Sequence, residues 1–330
     1  MVPVRAAGNG VRGVLTGCEP ASILPASAIS HGGCPLHEID IEYLGQTQAI
    51  AACVLETAAG LIVVDPGPSR SLLGLEHSMT AAGFALDDVR ALLLTHIHLD
   101  HAGAAGSLVQ RIPDLRVYVH ARGAPHLVDP TRLLASALRI YGDQLDALFG
   151  PFLPVAQHRI VSLQGGETLA LGGRVVRVEY APGHAWHHVA YLDERTGTAF
   201  VGDSAGERFR PSTYVLPVTP PPDIDLGAWH TTLERIRAWQ PAALFLTHFG
   251  AFPDSLRHLD ELESRLRLWA DRVRASLADA GTDEQRADRF VELATAELRA
   301  EVPPDVAQAY LGGGLRDSWF GLARHARRHA

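Results

Sequence analysis

Four cation-binding side chains fall within six residues of one another: His96, His98, Asp100 and His101, in the run Thr95-His96-Ile97-His98-Leu99-Asp100-His101. On an extended segment, side chains two apart face the same way, so His96 and His98 can both reach one ion at ~2.0–2.1 Å. Asp100 and His101 fall where the chain turns into a helix and aim at a second point nearby. Three imidazoles and a carboxylate packed so closely would be costly to desolvate without a cation between them. The chemistry this predicts is metal-assisted attack on an electrophile at neutral pH.

The elements around this run must present it at an edge of a sheet. Strand-like stretches are expected at Ile39–Leu44, Ala49–Glu56, Leu61–Val64 and Val89–Leu94, and again at Val117–His120, Val175–Tyr180, Val189–Leu192, Ala199–Val201 and Ala243–Leu246. Helices are expected over Ser69–Ala82, Thr131–Phe149 and about Leu226–Trp239. Four apolar strands run into a His or Asp: Leu94 before His96, Tyr180 before His184, Val201 before Asp203 and Leu246 before His248. Strand ends that repeatedly carry polar ligands converge on one edge, where loops can build a site. Residues 1–35 read as an irregular lead-in, 36–253 as the main domain and 254–330 as a charged helical extension packed on it.

His96-x-His98-x-Asp100-His101, then His184 in Pro-Gly-His, Asp203 in Gly-Asp and His248 in Thr-His, resembles the motif series of the metallo-β-lactamase superfamily from about residue 37 to 250. The resemblance implies an α+β fold, an αββα sandwich, here with a C-terminal helical extension. It also implies that His96, His98 and His184 hold a first metal, that Asp100, His101 and His248 hold a second, and that Asp203 bridges them. Asp65, in Asp65-Pro66-Gly67, is similar to the family position that orients the ligands. Two zinc ions are the implied cofactors, with iron or manganese as other occupants. Ions ~3.5–4 Å apart share a hydroxide acidified toward pH ~7, which attacks a carbonyl that one metal polarises. Asp100 is the candidate to accept or relay the proton.

The implied activity is hydrolysis of a small ester, thioester or lactone. Persulfide dioxygenase, which the chain also resembles, offers the alternative: a mononuclear iron site on His96, His184 and Asp203. The His at position 98 disfavours a di-iron, oxygen-reducing reading. The extension is placed like that of glyoxalase II but lacks the Lys-containing signature that grips glutathione, since the chain has no Lys at all.

Three residues beyond Asp203 are candidates for substrate contact. Arg208 or Arg210 would clamp an anionic group, and Tyr214 would donate to an oxyanion. His187 and His188 are expected to support the ligands, and Trp186 to form pocket wall.

The remaining composition excludes more than it selects. A net charge of -8 argues against a nucleic-acid partner, and the absence of Lys removes Schiff-base chemistry. Cys18, Cys34 and Cys53 are too few and too irregular for a disulfide framework. Pro3, Arg5 and Asn9 interrupt any secretory pattern, and no apolar run reaches the ~20 residues of a membrane helix, so a cytoplasmic enzyme is expected. Its partner is a small molecule; a homodimer stays open.

Overall fold

The computed structural model describes residues 28–29, 36–311 and 314–329. Most of the lead-in, with Cys18 and Cys34, lies outside them. Two sheets form the centre. The first has the order β1 (Ala28–Ile29), β2 (Leu36–Asp40), β3 (Ala51–Thr57), β4 (Gly60–Val64), β5 (Val89–Leu93), β6 (Arg116–His120), β7 (Ile160–Leu163). Its first four strands pair antiparallel, and β4 to β7 run parallel. The crossovers carry α1 (Leu72–Ala81), α2 (Leu99–Ala102), α3 (Ala105–Arg111), α4 (Ala124–Val128), α5 (Thr131–Tyr141) and α6 (Leu145–Phe149).

Both faces of this sheet are covered, which is why β3 and β4 are almost wholly apolar and not alternating. Cys53, Leu55, Ile62, Val64 and Leu93 face the second sheet. Ala52, Val54, Val63 and Leu92 meet Leu75 and Met79 of α1 and Leu108 of α3 on the other side. The second sheet has the order β13 (Gly250–Phe252), β12 (Ala243–Leu246), β11 (Thr198–Phe200), β10 (Val189–Asp193), β9 (Arg174–Tyr180), β8 (Thr168–Leu171), with β11 and β12 parallel.

Helix α7 (Leu226–Ala238) and the terminal helices α8 (Ser255–Ser276), α9 (Asp283–Glu301), α10 (Pro304–Leu311) and α11 (Leu315–Arg328) share a core with the second sheet. Trp229, Trp269 and Trp319 are buried there. The extension is also stitched by hydrogen bonds: the Tyr310 hydroxyl accepts from Phe209 N at 3.0 Å and donates to Tyr214 O at 2.7 Å. No helix among the described residues is long and apolar enough to cross a membrane.

Three expectations are corrected. The strand expected over Ile39–Leu44 ends at Asp40, whose carboxylate accepts from Glu42 N and Gln48 N and turns the chain through left-handed Glu42 and Leu44. The helix expected over Thr131–Phe149 is two helices, broken at Gly142 with φ of 53°. Within the lead-in, Ala28–Ile29 adds a short edge strand. Strands β7, β8 and β13 carry no pattern distinct enough to be singled out from sequence.

Candidate metal centre

The seven expected ligand positions meet at one edge of the sandwich. His96 and His98 lie on the extended segment after β5, and His98, with φ −60° and ψ 152°, caps α2, which carries Asp100 and His101. His184 follows β9 after Gly183, whose φ is 139°; a Cβ there would lie 2.4 Å from the Trp229 Cβ. Asp203 sits in the turn at Gly202–Ala205, where a Cβ on Gly202 would meet the Thr95 Oγ1 at 2.5 Å. His248 follows β12. Glycine is thus required at two points for backbone to approach the cluster.

The donor atoms form two groups. His98 Nδ1 lies 2.9 Å from His96 Nε2 and 3.0 Å from His184 Nε2, and Asp203 Oδ2 is 3.4 Å from His184 Nε2 and 3.9 Å from His96 Nε2. The other oxygen, Asp203 Oδ1, is 3.2 Å from His101 Nε2 and 3.8 Å from His248 Nε2, while Asp100 Oδ2 is 3.8 and 3.4 Å from the same two nitrogens. Asp203 therefore serves both groups.

Outer hydrogen bonds settle which ring nitrogen points inward. His184 Nδ1 donates to Val218 O at 2.8 Å and His248 Nδ1 to Ala49 O at 3.1 Å. His101 Nδ1 donates to Asp65 Oδ2 at 2.8 Å. Thr95 Oγ1 donates to that same oxygen at 2.6 Å, which leaves it to accept from His96 Nδ1 at 3.1 Å. Buried Asp65 also accepts from Thr95 N and Thr247 Oγ1, both at 2.8 Å. Each of these four imidazoles is thereby oriented with Nε2 toward the cluster.

A divalent cation fits these residues. His101 Nε2 and Asp203 Oδ1 are buried, face each other and have no hydrogen-bond partner, an arrangement that costs free energy unless something fills it. The protonation pattern agrees. Burial holds His96 well below the usual histidine range and His98 down to about 3, with neighbouring imidazoles adding to both, so their lone pairs are free. Burial opposes charge on His101 and His248 too, but the carboxylates around them win. His101 is raised well above its ordinary value and His248 to about 9. Asp203 is held well below the usual range and Asp100 at about 2, since His101 and its neighbours outweigh burial. Two protons on His101 and His248 thus offset the carboxylates, the role a cation would take over.

Arg208 pairs with His248 through its backbone, its N donating to His248 O at 2.8 Å, but the side chains expected to meet substrate are engaged elsewhere. The Arg208 guanidinium donates to Asp254 Oδ1 at 2.7 Å and Ser212 O at 2.9 Å and lies over the Phe252 ring. Arg210 grips Glu38 with both terminal nitrogens, at 2.9 and 2.6 Å. Tyr214 is buried under Arg265, whose guanidinium carbon stands 3.7 Å from the ring centre. Both guanidinium groups are thus claimed by internal partners, while the Tyr214 hydroxyl is buried without one.

The expected supporting histidines do lie beside the cluster, and sequence reasoning passed over other neighbours. His188 is buried, stacks on His96 with ring centres 4.8 Å apart, and pairs with the Ser204 hydroxyl at 3.0 Å. His187 lies edge-on to His98 at 5.4 Å. Thr95 and Thr247 each precede a ligand histidine, and that repeated Thr-His at a strand end was the available signal. Burial raises the Tyr43 phenol to about 12 and also raises Tyr141, and in both the Asp100 carboxylate adds to the rise. Burial likewise lifts Glu207 to about 7, opposed by His248. No local pattern marks Tyr43 or Glu207 as neighbours of the cluster.

The family model that matches residues 48–248 describes the metallo-beta-lactamase superfamily. The chain belongs to that superfamily. It is 29% identical over 209 residues to a metallo-beta-lactamase fold-containing protein of Sulfurisphaera tokodaii, a match covering 62% of this chain and 75% of that one. It is also 29% identical over 142 residues to a hydroxyacylglutathione hydrolase of a Synechococcus strain and 24% identical over 234 residues to an atrochrysone carboxyl ACP thioesterase of Aspergillus fumigatus. Those matches span less than half of either relative, 42% and 45%. Among solved structures, a metallo-beta-lactamase family protein of Thermus thermophilus aligns with a TM-score of 0.64 at 21% identity, covering 89% of this chain and 93% of that one.

Proposed function

We propose that this protein is a hydrolase that holds two zinc ions and cleaves a small ester, thioester or lactone. The observation that carries the reading is the convergence of seven side chains in two groups that share Asp203. His96, His98, His184 and Asp203 Oδ2 would hold one ion; Asp100, His101, His248 and Asp203 Oδ1 would hold the other. Bound there, the ions supply Lewis acidity for the carbonyl and acidify a water toward neutral pH.

The protein's own contribution is orientation and proton handling. Asp65 fixes His101 directly and His96 through Thr95. Asp100 keeps 29% of its side chain exposed where Asp203 keeps 4%, so Asp100 is the carboxylate that an entering substrate meets and the one placed to accept a proton. The related hydroxyacylglutathione hydrolases and thioesterase support a thioester substrate. A one-iron dioxygenase would keep Asp100, His101 and His248 as well, so metal content separates the two readings.

The test replaces Asp203 with Ala and measures bound zinc and thioester turnover on the same sample. Zinc should fall from two equivalents and turnover to background. Undiminished turnover would end the proposal, and a single iron per chain with persulfide-dependent oxygen uptake would replace it.

A further inference from the structure

A second, smaller set of metal-binding side chains joins the end of the chain to the start of α7. One donor atom from each of Asp225, His325 and His329 lies within 4.8 Å of the other two. His325 sits in the last turn of α11 and His329 caps it, so the i,i+4 spacing puts both rings on one face, with ring centres 4.3 Å apart.

Three features set this apart from a chance surface group. Both rings have their Nδ1 committed to a backbone carbonyl: His325 donates to Ile224 O at 3.2 Å and His329 to His325 O at 2.9 Å. The nitrogen left on each is Nε2, the same arrangement that orients ligands in the buried cluster. Asp225 uses Oδ1 to cap α7 through Ala228 N at 2.9 Å, which leaves Oδ2 for a ligand. Finally, two neighbouring cations are engaged elsewhere, Arg274 with Asp271 and Arg328 with Pro222 O. The superficially similar group of His230, Glu234 and Glu263 differs on this point, since Arg237 and Arg267 already neutralise its carboxylates.

We infer that Asp225, His325 and His329 form an auxiliary site for a borderline transition-metal ion of the zinc, nickel or copper(II) kind. Two imidazoles and one carboxylate suit those ions; calcium and magnesium ask for an oxygen shell. Water completes the coordination, so the ion binds more weakly than a buried four-ligand site would hold it. Its effect is to pin the helical extension to the loop before α7. That loop is also part of the buried cluster's support: Asp225 N donates to Gly183 O at 2.9 Å, one residue before His184, and His184 Nδ1 donates to Val218 O.

The test titrates zinc into chelator-treated full-length protein by calorimetry and compares wild type with His329→Ala and Asp225→Asn. His329 is exposed, and Asn keeps the helix cap, so both variants should fold. Wild type should show a weak class of one site that both variants lose, together with a zinc-dependent rise in melting temperature that they lack. Turnover of the zinc-loaded enzyme should stay unchanged in His329→Ala. Retention of the weak class in either variant, or its absence from wild type, overturns the inference. The outcome is independent of the buried cluster, because a His329-dependent site is read whether or not His96 and its neighbours take metal.

Discussion

Asp65 and Thr247, 182 positions apart, are joined by a 2.8 Å hydrogen bond that ties the end of β4 in one sheet to the end of β12 in the other. The same carboxylate takes the Thr95 amide and hydroxyl and the His101 Nδ1–H. It is one of the ties between the sandwich and the candidate metal centre, beside the bond from Ala51 N to Thr247 O at 2.8 Å.

Asp65→Asn should therefore damage both. The amide keeps the shape but removes the charge and turns one acceptor into a donor facing buried donors. Zinc affinity should fall about 10–100-fold. Unfolding free energy should drop by about 3 kcal/mol, the scale of losing charged hydrogen bonds in a buried place. Competition with a chromophoric chelator and a denaturant titration read the two effects, and wild-type values in both would refute the assigned role.

Arg210→Ala separates packing from substrate binding. Glu38 is buried and accepts both Arg210 nitrogens as well as Ala251 N. Removing Arg210 leaves that carboxylate with a backbone donor alone. Because the Arg210 side chain is itself 37% exposed, solvent screens part of the loss, and about 1–3 kcal/mol of stability is expected to go. KM for an anionic thioester should not move. A tenfold rise in KM with unchanged melting would restore Arg210 as a substrate clamp.

His258→Gln should flatten the acid limb of stability. Burial holds the His258 imidazole down to about 4, against 6.5 for a free histidine; its Nε2 donates to Ala205 O and its Nδ1 is buried without a partner. Between pH 6.5 and 4 the unfolded chain takes up a proton that the folded chain refuses. Stability is thus full above pH 6.5 and falls as pH drops, by about 2–3 kcal/mol near pH 4.5. Glutamine can keep the bond to Ala205 O and does not titrate. Its melts at pH 7.5 and 4.5 should differ by that much less than wild type's, and an unchanged difference would rule out His258 as the source.

What the sequence revealed and what it hid follow from distance along the chain. His96, His98, Asp100 and His101 were legible because their chemistry is packed into one strand-to-helix turn. His184, Asp203 and His248 were legible because each follows an apolar strand. The fate of Arg208 and Arg210 was not, since their partners Asp254 and Glu38 lie 46 and 172 positions away and are chosen by tertiary packing. The turn after Asp40 was hidden for a similar reason: apolar Ile41 and Leu44 read as strand, and only the Asp40 side chain reversing onto Gln48 ends it. The helices of the extension were visible in their charge spacing, but Tyr310 reaching back to Phe209 and Tyr214 was not.

The bond between Asp65 and Thr247 has a bearing on how the protein is made. On a ribosome the His96–His101 segment emerges long before Thr247 and His248, so a nascent chain offers only a fragment of the chelating set. The second donor group is complete only once β12 has docked beside β11 and brought His248 across. Filling of that group is then coupled to completion of the fold.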